Sequence, residues 1–560
     1  MNNNIFNNNL KELQKNKYNF RAVNKLKDYK SNNEKYKIKL TKNNLISILF
    51  NNKPLTSTYA PIEEAKKLIE QFIKDNNTHI GIFLSIASFY HIEYFLSLNK
   101  NNKAIIIEKD IEIVKLILEN IESKYLCNVI IILNEDIETT LAFFNFYMND
   151  TDTKKIVYIR HVRASTIDKE TSDYYDRINI YLANSIKEKL MSLTSNYYFA
   201  PIWSRNILYN MHFNSGYSIK TYHNILKKEV PLLLISAGAS IDNHIEEIKE
   251  LSKNHFTIVL SHAFNTLINN NIKPDAVVST DGGFYSSIHI MNLIKKQNRD
   301  IKIFTTHSAY PFPLTDIEDE RIFYFSHDES LEKILYNIDD SDDNNNIYFC
   351  MEGSVIMPAL RIAYMLNPKY ILLAGCDFCH IDDKSHSLYS NAIALDLINS
   401  NKLKTFETLK YKRLNDNQKQ ECYDNVFRST SSSLMSYKNH FESLVQEIIN
   451  TVEIFTLTKE SAKINNVKIY NFDYKVYDKN NIKIENYIKE NVNKNELIKK
   501  IENFIDNVKK GSINNIEEIK ELGNMISPWH IDEMEKSRME YSDFRKYILN
   551  WHNDIKKLLY

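Results

Sequence analysis

The sequence predicts an α/β chain in three parts: a Rossmann-like N-terminal domain with a helical connector over 1–215, a central domain over 216–472 built on a doubly wound, mostly parallel sheet, and a helical C-terminal domain over 473–560. Three observations lead there. From Thr78 onward, short runs of Ile, Leu, Val and Phe alternate with amphipathic stretches, the rhythm of strands buried on both faces and helices that cover them. The order strand, helix, strand, acid occurs at 78–108, as in half of a dinucleotide-type fold. After about Asn471, apolar residues recur at helical spacing, as in Leu497, Ile501, Phe504, Ile505 and Val508.

The elements follow in order. Asn- and Lys-rich loops precede a strand at Thr78–Leu84, a helix at Ser88–Leu98 and a strand at Ala104–Ile107 that ends on Glu108. Strands at Val129–Leu133 and Lys155–Ile159 continue the domain. A dinucleotide fingerprint needs three glycines and this segment offers only Gly81, so no dinucleotide is expected there. A helical connector with Trp203, Asn206 and Asn210 leads to strands at Leu232–Ser236, Phe256–Leu260, Ala276–Ser279, Ile301–Thr305, Arg321–Phe325, Ile347–Cys350 and Tyr370–Ala374. Helices are expected at Ile241–Ser252, near Phe264–Asn270 and at Ser354–Leu366, and Asp340–Asn346 reads as a polar loop.

Bulk properties narrow the function. The chain has 71 basic and 71 acidic residues, so no charge footprint points to nucleic acid or an anionic membrane. It has no apolar run of about 18 residues to span a bilayer, and Met1–Leu10 lacks the basic and apolar pattern of a secretory signal, so a cytoplasmic location is expected. Five cysteines fit reduced thiols. Cys376-Asp-Phe-Cys379-His380 matches the C-x-x-C-H haem attachment pattern, and Cys376, Cys379, His380 and His386 make a conceivable zinc set. Thiols packed behind a strand end are the reading adopted, with no metal site. Nothing specifies an oligomeric state.

Only nine glycines occur in 560 residues, well below the usual ~7%, yet Gly238, Gly282, Gly283, Gly353 and Gly375 each trail an apolar run. In a doubly wound sheet ligands lie beyond the carboxyl ends of strands, where these glycines fall. Ser236-Ala237-Gly238-Ala239-Ser240 and Gly353-Ser354 each place N–H groups and a hydroxyl at a helix start, suited to phosphate or to an ordinary helix cap. Asp281, beside Gly282, is a candidate base or hydroxyl ligand, or the side chain of an Asx turn. Gly375 through His386 brings Asp377, Lys384 and His386 together; His386 is a candidate acid or base, as is His307 just past a strand.

In Ser236-Ala-Gly-Ala-Ser-Ile-Asp242, Ile272-Lys-Pro-Asp275 with Asp281, Gly353-Ser-Val355 and Gly375-Cys-Asp377 through His386, the sequence resembles the motility-associated factor (Maf) family, whose central domain is similar to the MptE-like hydroxymethylpterin diphosphokinase domain. The resemblance spans roughly 80–470 and implies a sialyltransferase-like central domain. It implies a glycosyltransferase that moves a CMP-activated nonulosonic acid, of pseudaminic or legionaminic type, to Ser or Thr of flagellin. The nucleotide sugar would be held at Ser236, Gly238, Ala239, Ser240, Asp281, Gly282, Gly353, Ser354, Gly375 and Lys384, with Asp281, Asp377, His386 and His307 as catalytic candidates. No further cofactor is implied. Ala239 stands in place of a proline, Glu352 of a glycine, and Met357-Pro358 of a polar pair with histidine. The family's G-x-G-x-G-Y-H segment is matched to Gly81–Ser85 followed by Tyr90-His91. Two alternatives stay open: an ATP- and magnesium-dependent hydroxymethylpterin diphosphokinase, and a non-catalytic flagellin-binding protein.

Overall fold

The computed structural model describes residues 3–31, 35–73, 79–149, 156–160, 169–312, 314–327, 330–336, 348–349, 353–414, 418–471, 476–479, 482–510, 516–535 and 539–559. The expected loop Asp340–Asn346 and Glu352 lie outside them. By packing, the chain forms two compact units, Met1–Leu193 and Thr194–Tyr560. The break falls inside a 45-residue helix, α1 (Lys169–Phe213), which occupies the place of the expected connector.

The first unit carries four parallel strands, β1 (Ile80–Leu84), β2 (Lys103–Glu108), β3 (Val129–Leu133) and β4 (Ile156–Arg160), in the order β3-β2-β1-β4. Side chains alternate between two cores: Phe83, Ala104, Ile106 and Ile131 on one face, Ile82, Leu84, Ile105 and Ile130 on the other. This is the expected Rossmann-like half. Gly81, however, lies inside β1, where a Cβ would stand 2.5 Å from the ring of Phe83, so its role is packing.

The turn after β1 uses other residues. Ser85, Ala87 and Phe89 adopt φ of 80°, 44° and 69°, and Tyr90-His91 follows at once. The left-handed backbone that favours glycine thus falls on these three residues and not on Gly81. Glu108, buried at the end of β2, accepts hydrogen bonds from the Ile86 N–H (3.0 Å), the Asp110 N–H (3.1 Å) and the Tyr175 hydroxyl (3.1 Å). The acid that a dinucleotide fold offers to ribose is used here to hold the turn. Left-handed backbone strains an alanine by about 1–2 kcal/mol, more than the ~0.8 kcal/mol of burial in its methyl group. Ala87→Gly is therefore expected to raise stability by about 0.5 kcal/mol, read as a higher urea midpoint.

The second unit is built on nine parallel strands: β5 (Tyr217–Ser218), β6 (Leu232–Ile235), β7 (Phe256–Leu260), β8 (Ala276–Ser279), β9 (Lys302–Thr305), β10 (Ile322–Tyr324), β11 (Ile371–Ala374), β12 (Ile454–Thr456) and β13 (Lys468–Ile469). Their order is β13-β12-β11-β6-β7-β8-β9-β10-β5. Leu232, Leu234, Ile258 and Val278 face one core and Leu233, Ile235, Val259 and Val277 the other, which is why these strands read as unbroken apolar runs. The expected strand at 347–350 is described only as Tyr348–Phe349, which pairs with Ser326–His327 outside the large sheet.

From β6 the chain winds outward through β7 to β10, then returns to place β11 on the other side of β6. The gap between β6 and β11 is the topological switch point, where ligands of such sheets bind. The expected helix from Ile241 begins as a 3-10 turn, Ala239–Asn243, and becomes α2 (Ile245–Asn254) only after His244. Helix α3 (Ser261–Asn269) follows β7, and α4 (Ile356–Met365) precedes β11, which puts its N-terminus at the carboxyl edge. The C-terminal helices α5 (Lys494–Lys510), α6 (Ile516–Ile526), α7 (Pro528–Glu535) and α8 (Tyr541–Leu559) share one core with Ile207, Leu208 and Met211 of α1, and so belong to the second unit.

Candidate functional site

At the switch point the two glycine turns close on each other. The Gly238 N–H donates to the Gly375 carbonyl at 3.0 Å. Asp377 accepts from the Ser240 N–H (2.9 Å), the Ser240 hydroxyl (2.5 Å) and the Ser461 hydroxyl (2.8 Å). The sequence leads one to expect free N–H groups at Gly238 and Ser240 for a phosphate; the structure corrects this. Those donors are spent inside the protein, Ala239 and Ser240 are buried, and the Asp377 carboxyl is the acceptor at this helix start. Burial raises the Asp377 carboxyl above its ordinary range, against the lowering effect of the Ser240 and Ser461 hydrogen bonds. In the structure the Asp377 side chain is thus engaged in the hydrogen bonds that hold this turn. The side chain of Ser240 and the carbonyl of Ser236, which packs against Gly375, belong to the same closed turn.

One strand pair away, Asp281 is the second residue after β8. Its Oδ1 accepts the Gly283 N–H at 2.8 Å, the Asx turn that was the plainer reading of this motif. Helix α1 clamps the same edge. The Asn206 amide donates to the Gly282 and Ser308 carbonyls, both at 3.0 Å, and the Asn210 amide to those of His307 (2.7 Å) and Ala309 (2.8 Å). Gly282 is required because a Cβ would meet the Trp203 indole at 2.7 Å. The three connector residues therefore fix the loops after β8 and β9.

Two histidines not foreseen join Asp281. The rings of His262, second after β7, and His289 lie 3.9 Å apart. Burial lowers both; the Asp281 carboxylate opposes this at His262, while His262 and His386 add to it at His289, which is pushed down to about 3. Half-buried His386 is near enough for its charge to be felt at His289, which ties it to Asp281 and to the pair His262 and His289, whose two imidazoles burial keeps neutral. The offset that singles out Asp281, two residues past a strand, also marks His262 and was the signal available. His386 Nδ1 lies 2.9 Å from the Ser385 hydroxyl, and Ser387 N–H donates to the Ala237 carbonyl at 3.0 Å, which seats this loop on the Gly238 turn.

Other expected residues are placed differently. His307 shares that offset on β9, but its ring is buried, stacked on Tyr324 at 4.2 Å, with Nδ1 3.0 Å from the Tyr336 hydroxyl and Nε2 3.7 Å from Glu490. Its partners are thus Tyr324, Tyr336 and Glu490, and it is pushed down to about 3 by burial, then by Lys494. Lys384 reaches Asp242 at 3.7 Å. Gly353 (φ 75°) and Ser354 precede α4, whose first turn carries no acidic residue and whose start shows no side-chain cap among the described residues. Among the described residues no group of three or more His, Cys, Asp or Glu is placed to hold a metal.

The buried neutral histidines have a consequence in acid. His289 and His307, at about 3, and His255, at about 4, each fall below the ~6.5 of an unfolded histidine. The unfolded chain takes up those protons first, so each contribution is present above ~6.5 and lost as pH falls toward the folded value. Each histidine is expected to remove about 1.4 kcal/mol per pH unit near pH 5. Urea unfolding at pH 7 and pH 5 measures the slope, and His289→Gln should lower it by about 1.4 kcal/mol per pH unit near pH 5.

The family model of the MptE-like 6-hydroxymethylpterin diphosphokinases matches residues 205–383. The chain carries an MptE-like domain. The match takes in the end of α1 with Asn206 and Asn210, strands β5 to β11, Asp281 and Asp377, and stops short of His386 and Ser461. Beyond the MptE-like domain, the solved structure of a Maf glycosyltransferase from Magnetospirillum magneticum AMB-1 has the same fold, with a TM-score of 0.61 over 100% of this chain and 96% of that one at 9% identity. No curated protein matches the chain. No helix among the described residues is long and apolar enough to cross a membrane.

Proposed function

We propose that the chain is a Maf-type glycosyltransferase that moves a nonulosonic acid from a CMP-sugar to Ser or Thr hydroxyls of flagellin, in support of motility. The observation that carries this reading is that the likeness to the Maf glycosyltransferase runs the whole length of both units, whereas the MptE-like match covers less than half the chain. In the reaction the acceptor oxygen bonds to the anomeric carbon, the bond from that carbon to the CMP phosphate breaks, and the hydroxyl proton goes to a base. His386 takes that proton, Asp281 and neutral His262 orient hydroxyls, and the phosphate rests at Gly353-Ser354. A base of this kind contributes roughly 10²- to 10⁴-fold.

Incubation with a CMP-nonulosonate and flagellin should add the sugar mass to flagellin, and Asp281→Ala or His386→Ala should slow this at least a hundredfold, as expected for a base or its orienting partner. The MptE-like domain favours a second reading, diphosphoryl transfer from ATP to a hydroxymethylpterin. A thermal-shift comparison separates the two: stabilisation by CMP supports the transferase, stabilisation by ATP with magnesium supports the kinase, and response to neither supports a flagellin-binding protein.

A further inference from the structure

The Cys376-x-x-Cys379-His380 segment is the one motif that the site leaves unused, and its second cysteine finds its partner elsewhere. Cys379 Sγ lies 3.8 Å from Sγ of Cys422, 43 positions along the chain, with both residues buried. The Cys379 hydrogen bond and then Arg428 draw the Cys422 thiol down to about 7 against the effect of burial, while Cys379 is pushed up. Arg428 is itself held by both oxygens of Asp424, at 2.7 and 2.6 Å. One sulfur thus carries thiolate character beside a second that keeps its hydrogen, the arrangement of a reactive dithiol.

Cys422 follows the first strand of a two-stranded hairpin, Gln418–Glu421 with Phe427–Thr430. Such hairpins are marginal by themselves, so local opening gives a small oxidant access to a buried sulfur. The hairpin is tied to the segment after Asp377: the Thr430 hydroxyl donates to the Phe378 carbonyl and the His380 N–H to the Ser429 carbonyl, both at 2.8 Å. A disulfide needs ~2.05 Å between sulfurs, so the two segments would close by roughly 1.8 Å.

We propose that Cys379 and Cys422 form a reversible disulfide in response to hydrogen peroxide, locking the hairpin to the loop that positions the Ser240 turn. The Cys422 thiolate attacks one peroxide oxygen, the O–O bond breaks, and a sulfenic acid and hydroxide form. Cys379 sulfur then attacks the Cys422 sulfur, its proton and the sulfenic hydroxyl leave as water, and the S–S bond is made. A dithiol reductant reverses the step. Cys376 does not compete, because burial and then Asp377 push its thiol far up.

The test uses the full chain treated with hydrogen peroxide, alkylated after unfolding and digested without reductant. Mass spectrometry is expected to find one peptide pair joined through Cys379 and Cys422 and separated by reductant, and Cys379→Ser, which keeps a hydrogen-bond donor beside Cys422 but no resolving sulfur, should leave Cys422 as a sulfenic acid captured by a dimedone-type reagent. Recovery of both residues as alkylated thiols, while half-buried Cys127 is oxidised, would overturn the proposal. The wild-type peptide map decides the matter even if the variant fails to fold, and neither readout depends on the proposed transferase activity.

Discussion

Replacing Gly375 with alanine is expected to lower the stability of the second unit by about 3–5 kcal/mol, whereas the same change at Gly353 should cost about 1–2 kcal/mol. Both glycines are left-handed, with φ of 68° and 75°, so both changes introduce the same backbone strain. They differ in space. A Cβ at Gly375 would stand 2.5 Å from the Ser236 carbonyl oxygen and 2.8 Å from the Ile241 side chain, whereas at Gly353 the nearest atom is 3.5 Å away, on Tyr437. The carbonyl belongs to the end of β6 and cannot move without breaking register with β11. Urea unfolding of the two variants checks the difference; equal losses would mean that the switch point is looser than its hydrogen bonds imply.

Asp377→Ala is expected to be nearly as damaging, at about 3 kcal/mol, because it strands the buried N–H and hydroxyl of Ser240 and the hydroxyl of Ser461 without an acceptor. Asp377→Asn keeps one acceptor oxygen and should lose less. The pH dependence gives an independent readout. Since the folded carboxyl is raised, the folded state holds this proton more tightly than the unfolded one. Its stabilising contribution is full below the ordinary carboxylate range and is lost as pH rises through the raised value. Unfolding of Asp377→Asn, followed upward from the ordinary carboxylate range, should lack that loss, and the histidine-dependent loss at the acid end should remain.

Much of the fold is legible because β6, β7, β8 and β11 are buried on both faces, so that each appears as a run such as Leu232–Ile235 with a turn signal behind it. The scarcity of glycine also pointed to the right sheet edge. What local sequence does not contain is whose hydrogen bonds are already taken. Asp377 and Asp281 look alike as carboxylates beside glycine, yet one is consumed by Ser240 and Ser461 from distant segments, and the other lies in a histidine cluster. His307 sits at the same offset as His262 but turns toward Tyr336 and Glu490. The Rossmann-like turn is harder still, since Ser85, Ala87 and Phe89 hold glycine-type dihedrals without being glycine. Only Glu108 and Tyr175, brought together from 67 residues apart, reveal what stabilises that region.

The carboxylate that holds the Ser240 turn lies 137 positions further along the chain. Synthesis at ~5–20 residues per second separates the two by roughly 7 to 27 seconds. During that interval the Gly238–Ser240 segment leaves the ribosome with donors that have no internal acceptor, and the edge of β6 that β11 will cover is bare. The nascent protein is therefore most exposed to mispairing while its central strand waits, and the site becomes rigid only when the Gly375–Asp377 loop arrives to complete it.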